Sequence, residues 1–543
     1  MERKMTAIKK LTTLLLALMV VLMFGFTSLP AMAADGHTVT IQKATNDKAT
    51  THSYEAYKIF SGKLETVGSQ KVLSDISWGN GIDTTKLGDL ATALNALKST
   101  ESPEFTDLTA TSTAKEFADA IGKLQAADDS AKAQSIAAAI GNAISSTTSG
   151  TGSNTGVSGL DDGYYFIKDK KDSLTDKEGA YTRYILRVLG EDLTVAEKAN
   201  VPTVEKKVKE KNDTTGSETG WQDAADYDIG DAIPYEITGT LPSTFADYKT
   251  YKTYTFTDTL SEGLTITDAE KAAIKVTVGT TDVTSHFDIA VNGQVLTVSL
   301  KSGEDLKTWT DPALTADSKI VVTYSATLND KAKIGSEGNP NTVNLTYSNN
   351  PNAGGDGDHG KTPDDKVTVF TYEIQAKKVG EDGKTPLEGA GFTLYKKGPA
   401  AEGSTEPTWT KVGNEITGVT TFEFKGADAG EYKLVETTVP AGYNKAEDIT
   451  FTVTAAYDTR SADPKLTSLT VTPADAHFTV TTTTSEDGKS ITTDGVATTT
   501  IQNQKGSLLP STGGMGTTLF YIVGGLIVVI AAGVLISRRR KSR

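Results

Sequence analysis

The 543-residue chain contains no cysteine, five histidines and four tryptophans. The lack of thiols excludes a disulfide framework, a thiolate metal site and a cysteine nucleophile. His37, His52, His286, His359 and His477 form no HExxH and no paired spacing, so neither a metal nor a cofactor is expected. No Ser-His-Asp order, catalytic carboxylate pair or phosphate loop stands out either, which leaves little support for an enzyme. Hydrophobic residues make up only 37%, below the usual globular share, and two apolar runs at the ends supply much of that. What lies between is polar and rich in Thr and Gly. Such a composition suits β-sheet modules, and the length allows about three domains.

Both ends read as addresses. Arg3, Lys4, Lys9 and Lys10 precede an apolar run from Leu11 to about Phe26 and then Ala31-Met32-Ala33, the three parts of a secretory signal, with cleavage expected between Ala33 and Ala34. At the other end Thr518 to Ile536 carries no charge and is long enough to cross a bilayer as a helix. Arg538, Arg539, Arg540 and Lys541 follow it, so the positive-inside rule places the body outside the cell. The termini carry net +3 and +5 within a total of −15, which leaves −23 on the chain between them. So acidic a chain is not expected to bind nucleic acid.

Directly before the apolar span stands Leu509-Pro510-Ser511-Thr512-Gly513. Proline followed by small residues makes an extended loop that a peptidase can hold. The order LPxTG, apolar span, Arg-rich tail resembles the cell-wall sorting signal of Gram-positive surface proteins. The resemblance implies that a sortase attacks the Thr512–Gly513 bond and passes the threonine acyl group to an amine.

Between the ends the pattern is period-2 alternation, the mark of half-buried strands. Strands are expected at Val39–Lys43 and Tyr164–Ile167 in the first region. An Ala-rich helical insertion over Ser112–Ile144 interrupts it, with Phe117, Ala118, Ile121 and Leu124 on one face, and Ser145–Ser158 reads as loop. In the second region strands are expected at Thr203–Val208, Ala232–Thr238, Tyr254–Asp258, Lys275–Val278, Val295–Leu300, Lys319–Tyr324 and Val343–Tyr347. So many short strands point to a Greek-key sandwich. A linker around Pro351–Gly357 leads to a third region of similar logic. The expected division is 1–33 signal, 34–200 first domain, 201–366 second domain with its linker, 367–506 third domain and 507–543 sorting signal with transmembrane helix.

Lysines fall where apolar residues belong. Val204, Lys206 and Val208 share an inward face, as do Tyr372, Ile374, Ala376 and Lys378. A buried lysine is costly unless it is paired or neutral. Partners also occupy inward positions: Asp258 with Tyr254 and Phe256; Asn349 with Val343, Leu345 and Tyr347; Glu436 with Tyr432 and Leu434; Asn503 with Ile501. Asn350 competes with Asn349, although its parity points outward.

Lys378 with Glu381-Asp382-Gly383, Pro386 to Tyr395, Gly430 to Thr437 with Pro440-Ala441-Gly442-Tyr443, and Ile501 to Lys505 resemble the B-type repeat domain of collagen adhesins and pilins. Ile229-Gly230-Asp231, Thr257-Asp258-Thr259-Leu260, Gly263-Leu264 and Tyr347 to Pro351 resemble the isopeptide-forming A-type domain of major pilin subunits. Together with Ala56 to Gly62, the likeness covers nearly the whole secreted part. It implies an all-β chain of tandem immunoglobulin-like Greek-key sandwiches in which Lys206–Asn349 and Lys378–Asn503 close amide bonds spontaneously and release ammonia. The physics fits, since burial favours a neutral amine and a protonated acid. Asp258 and Glu436 are then the promoting acids that polarise the amide and relay the proton. In the first region Lys43 faces inward and Asp169 follows Gly163 by the spacing that separates Glu436 from Gly430, but no asparagine except Asn200 lies at an obvious last-strand position, and no bond is expected.

The resemblance further implies the major shaft subunit of a sortase-assembled, covalently polymerised pilus serving adhesion and colonisation. Expected partners are pilin-specific and housekeeping sortases, copies of the chain itself, minor or tip pilins, peptidoglycan, and host extracellular matrix or glycans. Polymerisation needs an exposed amine. The YPKN-like pilin motif of the family has its counterpart in Val195-Ala196-Glu197-Lys198, without the Tyr, Pro and Asn, so Lys198 is the expected acceptor, with Lys207, Lys209 and Lys211 as rivals. The alternative function is a monomeric wall-anchored adhesin.

Overall fold

The computed structural model describes residues 36–43, 51–98, 105–124, 130–196, 200–351, 358–400, 406–472, 478–484, 491–506 and 516–541. The signal peptide with Ala33 and Ala34, Lys198, and Leu509, Pro510, Ser511, Thr512 and Gly513 lie outside them.

In the first region the strands join one eight-stranded sheet rather than two. One apolar cluster, with Val39, Ile41, Tyr54, Tyr165 and Ile167, fills its inside. A second, around Phe60, Phe117 and Phe166, holds the helices Leu87–Asn95, Ala114–Lys123 and Ser130–Asn142. The insertion is thus helical as expected, but its first helix begins well before Ser112. Thr113 and Glu116 cap the Ala114–Lys123 helix reciprocally. The expected loop Ser145–Ser158 contains the strand Gly150–Ser153 and the start of Gly156–Leu160. Glycine hides them from a propensity reading. Yet it is required there, because Gly156 has φ +130° and an added Cβ would sit 1.8 Å from the Val39 carbonyl oxygen.

The middle region is a two-sheet sandwich. One sheet orders the strands Ala224–Asp226, Asp365–Phe370, Asn339–Ser348, Tyr254–Leu260, Val295–Leu300 and Phe287–Asn292. The other orders Thr281–Asp282, Lys275–Val278, Lys319–Leu328, Ala232–Thr240 and Val204–Val208. Alternating residues of both, among them Tyr235, Ile237, Phe256, Val298, Val322 and Leu345, form one dry core. The strand Asp365–Phe370 runs through the expected 366 boundary, so the sheet of the middle region ends at Phe370.

The third region pairs a four-stranded sheet, Thr421–Ala427, Tyr372–Val379, Ile491–Gln502 and Thr479–Thr484, with a five-stranded one. The latter holds Pro407–Thr417, Gly391–Ala400, Gly430–Thr438, Ile449–Tyr457 and Leu466–Thr472. Phe392, Phe422, Tyr432 and Phe451 dominate its core. Beyond it the helix Gly516–Lys541 leaves its apolar side chains exposed from Tyr521 on, as a bilayer span would.

The middle and third regions meet at a seam crowded with carboxylates. Lys396 Nζ lies 2.6 Å from Asp228 and Asp428 and 2.9 Å from Asp213. Asp226 accepts from the Ala429 amide and the Tyr457 hydroxyl, each at 2.8 Å, and its own amide donates to Glu210. Burial, then the Asp226 carboxylate, pushes Glu210 up to about 9, and burial, then Asp228, pushes Asp231 up to about 6. Their ordinary values are 4.5 and 3.8. Between those values and the raised ones the folded chain binds protons that the unfolded chain has released, so stability falls as pH rises through this window. The melting temperature of the paired regions is therefore expected to drop between about pH 5 and about pH 9, and Glu210→Gln to flatten the upper part of that drop. Calorimetry of the two proteins across this range checks both.

Candidate functional site

Each sandwich encloses one lysine. Lys206 is held by the register that sets it opposite Ile237, with its side chain turned between the sheets and wholly buried. Its Nζ donates to both oxygens of Asp258 and to the Tyr324 hydroxyl, all at 2.8 Å. The three ammonium hydrogens are thereby used. Tyr235 and Tyr324 stack with centroids 5.2 Å apart, and the amine sits 5.0 Å from each ring centre. The Tyr324 hydroxyl donates to Asp258 Oδ2 and accepts at 2.8 Å from Asn341 Nδ2. Lys206 and Tyr324 come from one sheet, Asp258 and Asn341 from the other. Desolvation lowers the Lys206 pKa against the pull of Asp258, so burial makes the amine easier to deprotonate than a surface lysine.

In the third region Lys378 and its asparagine stand on neighbouring parallel strands, since Lys378 pairs with Ile501 and Asn503 lies two residues on. Lys378 Nζ makes a short contact with Asn503 Oδ1 and lies 3.2 Å from Glu436 Oε1. Asn503 Nδ2 donates back to Glu436 at 2.9 and 3.2 Å, and the Ala446 amide at 2.6 Å fixes the carboxylate from behind. Lys378, Glu436 and Asn503 are each about 1% exposed, and desolvation lowers the lysine pKa. Amine, acid and amide therefore touch one another in a site closed to water.

The structure brings together Lys206 with Asp258, and Lys378 with Glu436 and Asn503. It does not bring Asn349 to Lys206. Asn349 is inward-facing and fully buried, but its Nδ2 donates at 3.1 Å to the carbonyls of Leu174 and Gly179 in the first region. The reason is register. Asp258 stands opposite Val343, and Asn349 is six residues further, about 20 Å along the strand. Asn341 shares the same parity only two residues away, on the other side. Asn350 donates to Asp358 instead.

Of the rival lysines, Lys207 is paired with Asp223 at 2.6 Å and Glu205 at 3.0 Å, and Lys209 lies 4.8 Å over the Trp221 ring. Lys211 is exposed. In the first region the Asp169 carboxylate is engaged by His52 and Thr182. It binds His52 Nδ1 at 2.7 Å with one oxygen and the Thr182 amide at 2.7 Å and hydroxyl at 3.0 Å with the other. Asn200 accepts from the Ser243 amide.

The tandem β-sandwiches with their dry lysine clusters are followed by a helix long and apolar enough to cross a membrane. Residues 229–351 match the family model "Gram-positive pilin backbone subunit 2, Cna-B-like domain", 372–465 "Prealbumin-like fold domain" and 501–542 "LPXTG cell wall anchor motif". The chain thus carries a domain similar to those of Gram-positive pilin backbones and an LPXTG anchor motif of the kind that fixes proteins at the cell wall. The middle region carries the Cna-B-like description rather than the A-type expected from its motifs. A curated relative, the trypsin-resistant surface T6 protein of Streptococcus pyogenes serotype M6, is 28% identical over 299 residues, 51% of each chain. The chain therefore spans about half the length of that relative. Among solved structures, the T6 backbone pilin of the same serotype is 19% identical, covering 88% of this chain and 100% of that one, with a TM-score of 0.47. The full-length major pilin SpaD of Corynebacterium diphtheriae is 15% identical, covering 88% and 99%, with a TM-score of 0.43.

Asn349→Ala should leave the Lys206 cluster intact and loosen the seam with the first region, because two buried carbonyls lose their donor. A loss of about 1 to 3 kcal/mol is expected. The readout is faster hydrogen exchange at the Tyr181 amide, which bonds the Asn349 carbonyl at 2.8 Å.

Proposed function

We propose that the chain is the shaft subunit of a covalent pilus, polymerised by a sortase and reinforced by two internal Lys–Asn amide bonds, Lys206–Asn341 and Lys378–Asn503. The observation that carries the internal bonds is the third-region cluster, where amine, amide and acid are in mutual contact without water. The carboxylate takes a proton from the ammonium, and the free amine attacks the asparagine Cγ. The new N–C bond forms as the Cγ–Nδ2 bond breaks, the acid gives its proton to the departing nitrogen, which leaves as ammonia, and then takes the second proton shed by the lysine nitrogen, ending protonated. Proximity supplies much of the acceleration, since folding holds the reactants at contact distance. Asn341 replaces Asn349 in this reading because it alone of the two shares a hydrogen-bond partner with Lys206.

The reading of the ends follows from the anchor motif. A sortase cleaves Thr512–Gly513 and joins the threonine to an amine, that of Lys198 on the next copy during polymerisation and that of peptidoglycan at the base. Lys198 keeps this role by its place in the counterpart of the pilin motif; Lys207 and Lys209 are engaged, and the exposed Lys211 remains its rival. Minor pilins and host matrix or glycans are the partners such a shaft would present and meet.

Intact mass of the mature chain, residues 34–512, should fall short of its sequence mass by two ammonia units. Asn341→Ala and Asn503→Ala should each restore one, and Asn349→Ala none. A full sequence mass in the unmodified chain would refute the internal bonds. Each bond closes a loop of more than 100 residues, so its loss should cost its own region about 4 to 5 kcal/mol under the chain-entropy model.

Cells carrying the chain should show a ladder of multimers that survives boiling in detergent. Lys198→Ala and Lys198→Arg should both reduce it to monomer, since a guanidinium stays protonated. A persistent ladder moves the acceptor to another lysine, and no ladder at all makes the chain a monomeric wall protein.

A further inference from the structure

The two clusters reach their asparagine differently. Glu436 touches both the lysine and the asparagine nitrogen directly. Asp258 touches the lysine, and the Tyr324 hydroxyl links it to Asn341, donating to Asp258 Oδ2 and accepting from Asn341 Nδ2 at 2.8 Å. The aspartate is one methylene shorter than the glutamate, and the phenol spans the remaining gap. The same oxygen also accepts from Lys206 Nζ at 2.8 Å, so one hydroxyl touches the nucleophile, the acid and the leaving group. A phenol offers one donor and two acceptor positions, and all are occupied.

We propose that Tyr324 is a catalytic residue of the middle region, relaying a proton from the Asp258 carboxyl to Asn341 Nδ2 as ammonia departs. This rests on the Lys206–Asn341 bond proposed above. The balance closes without any co-reactant. Lys206 gives one proton to Asp258 before attack and a second to it on forming the amide, so that Asp258 ends protonated. Tyr324 passes its hydroxyl proton to the nitrogen and recovers one from Asp258, and the products are a secondary amide and ammonia. Its surroundings suit a relay rather than a standing charge, because the ring is stacked on Tyr235 and buried in the core, where a phenolate is disfavoured. The third region needs no such residue, since its acid reaches the amide itself.

The test uses the mature chain with both regions present, made by cell-free synthesis and sampled over time by intact mass and by mapping of the cross-linked peptides. The Lys378–Asn503 bond is the internal control. Tyr324→Phe is expected to slow the Lys206–Asn341 bond by roughly 100-fold, within the range of a lost general acid–base group, while the control bond forms at the unmodified rate. Tyr324→Phe combined with Asp258→Glu is expected to recover at least roughly tenfold of that rate, because the longer acid reaches the amide as Glu436 does. An unchanged rate in Tyr324→Phe overturns the proposal. A slowed rate that glutamate does not recover also overturns it, whether or not the region keeps its thermal transition, and assigns the tyrosine to packing. If the unmodified chain forms the control bond but never the Lys206–Asn341 bond, the underlying reading fails instead, and the relay falls with it.

Discussion

Two ammonium groups sealed between β-sheets govern how this chain is built. An unpaired charge in such a place costs many kcal/mol, so each amine must find acceptors at hydrogen-bond distance or the sandwich cannot close. That demand fixes which strands meet. Lys206 on one sheet is satisfied only if Asp258 on the facing sheet stands at the right height, and Lys378 only if the strand Gly430–Thr438 delivers Glu436 to it. The pairs thereby sharpen register, because the Val, Ile and Thr alternation forbids a one-residue slip but would survive a slip of two. The same dry environment that makes the pairs obligatory lowers both lysine pKa values.

Period-2 alternation made the buried lysines and their acids legible in the sequence. Lys206, Asp258, Lys378, Glu436 and Asn503 all face inward as their parity requires. Parity states which face a residue occupies and nothing about its height along the strand. Asn341 on the strand Asn339–Ser348 and Asn349 just past its end have the same parity, and the pairing of Asp258 with Val343 separates them. A signal for Asn341 existed in the Asn339-Pro340-Asn341 run at the start of that strand, but nothing local ranks it above Tyr347-Ser348-Asn349. Tyr324 was hidden for another reason: an inward tyrosine in a strand reads as core, and its hydroxyl gains meaning only beside Asp258. The glycine-rich strands of the first region were illegible because pairing, not propensity, creates them.

The seams between regions add polar contacts to apolar ones such as Ala180 in the middle core and Phe370 on Tyr457. At the first seam the segment from Leu174 to Tyr181 lies against the middle region through the Asn349 side chain and carbonyl, and Lys361 and Asp176 add backbone bonds across it. At the second, one lysine is shared among three aspartates. Hydrogen bonds and ion pairs are directional, so they hold neighbours at a defined angle where an apolar seam would allow them to roll. In the proposed shaft such definition would matter, since small rotations at each joint would accumulate along a polymer.

The position of the proposed bonds decides how tension would pass through such a polymer. Pulled from its two ends, the third region is loaded where the strand Tyr372–Val379 enters and where Ile491–Gln502 leaves, and these strands are parallel neighbours. Hydrogen bonds between them alone would be sheared until the strands slid. An amide between Lys378 and Asn503 instead joins the end of one strand to the residue just past the other, so the chain between them, with the whole five-stranded sheet, falls outside the load path. In the middle region the geometry differs. Lys206 lies on the entering strand Val204–Val208, but Asn341 lies before the exit, and Thr342 to Phe370 remains in series beyond the bond. That remainder is held by the pairing of Asp365–Phe370 with Asn339–Val343 and with Ala224–Asp226. It ends in the carboxylate-rich seam, so on this reading the weakest link under tension is the joint between the middle and third regions, not the interior of either.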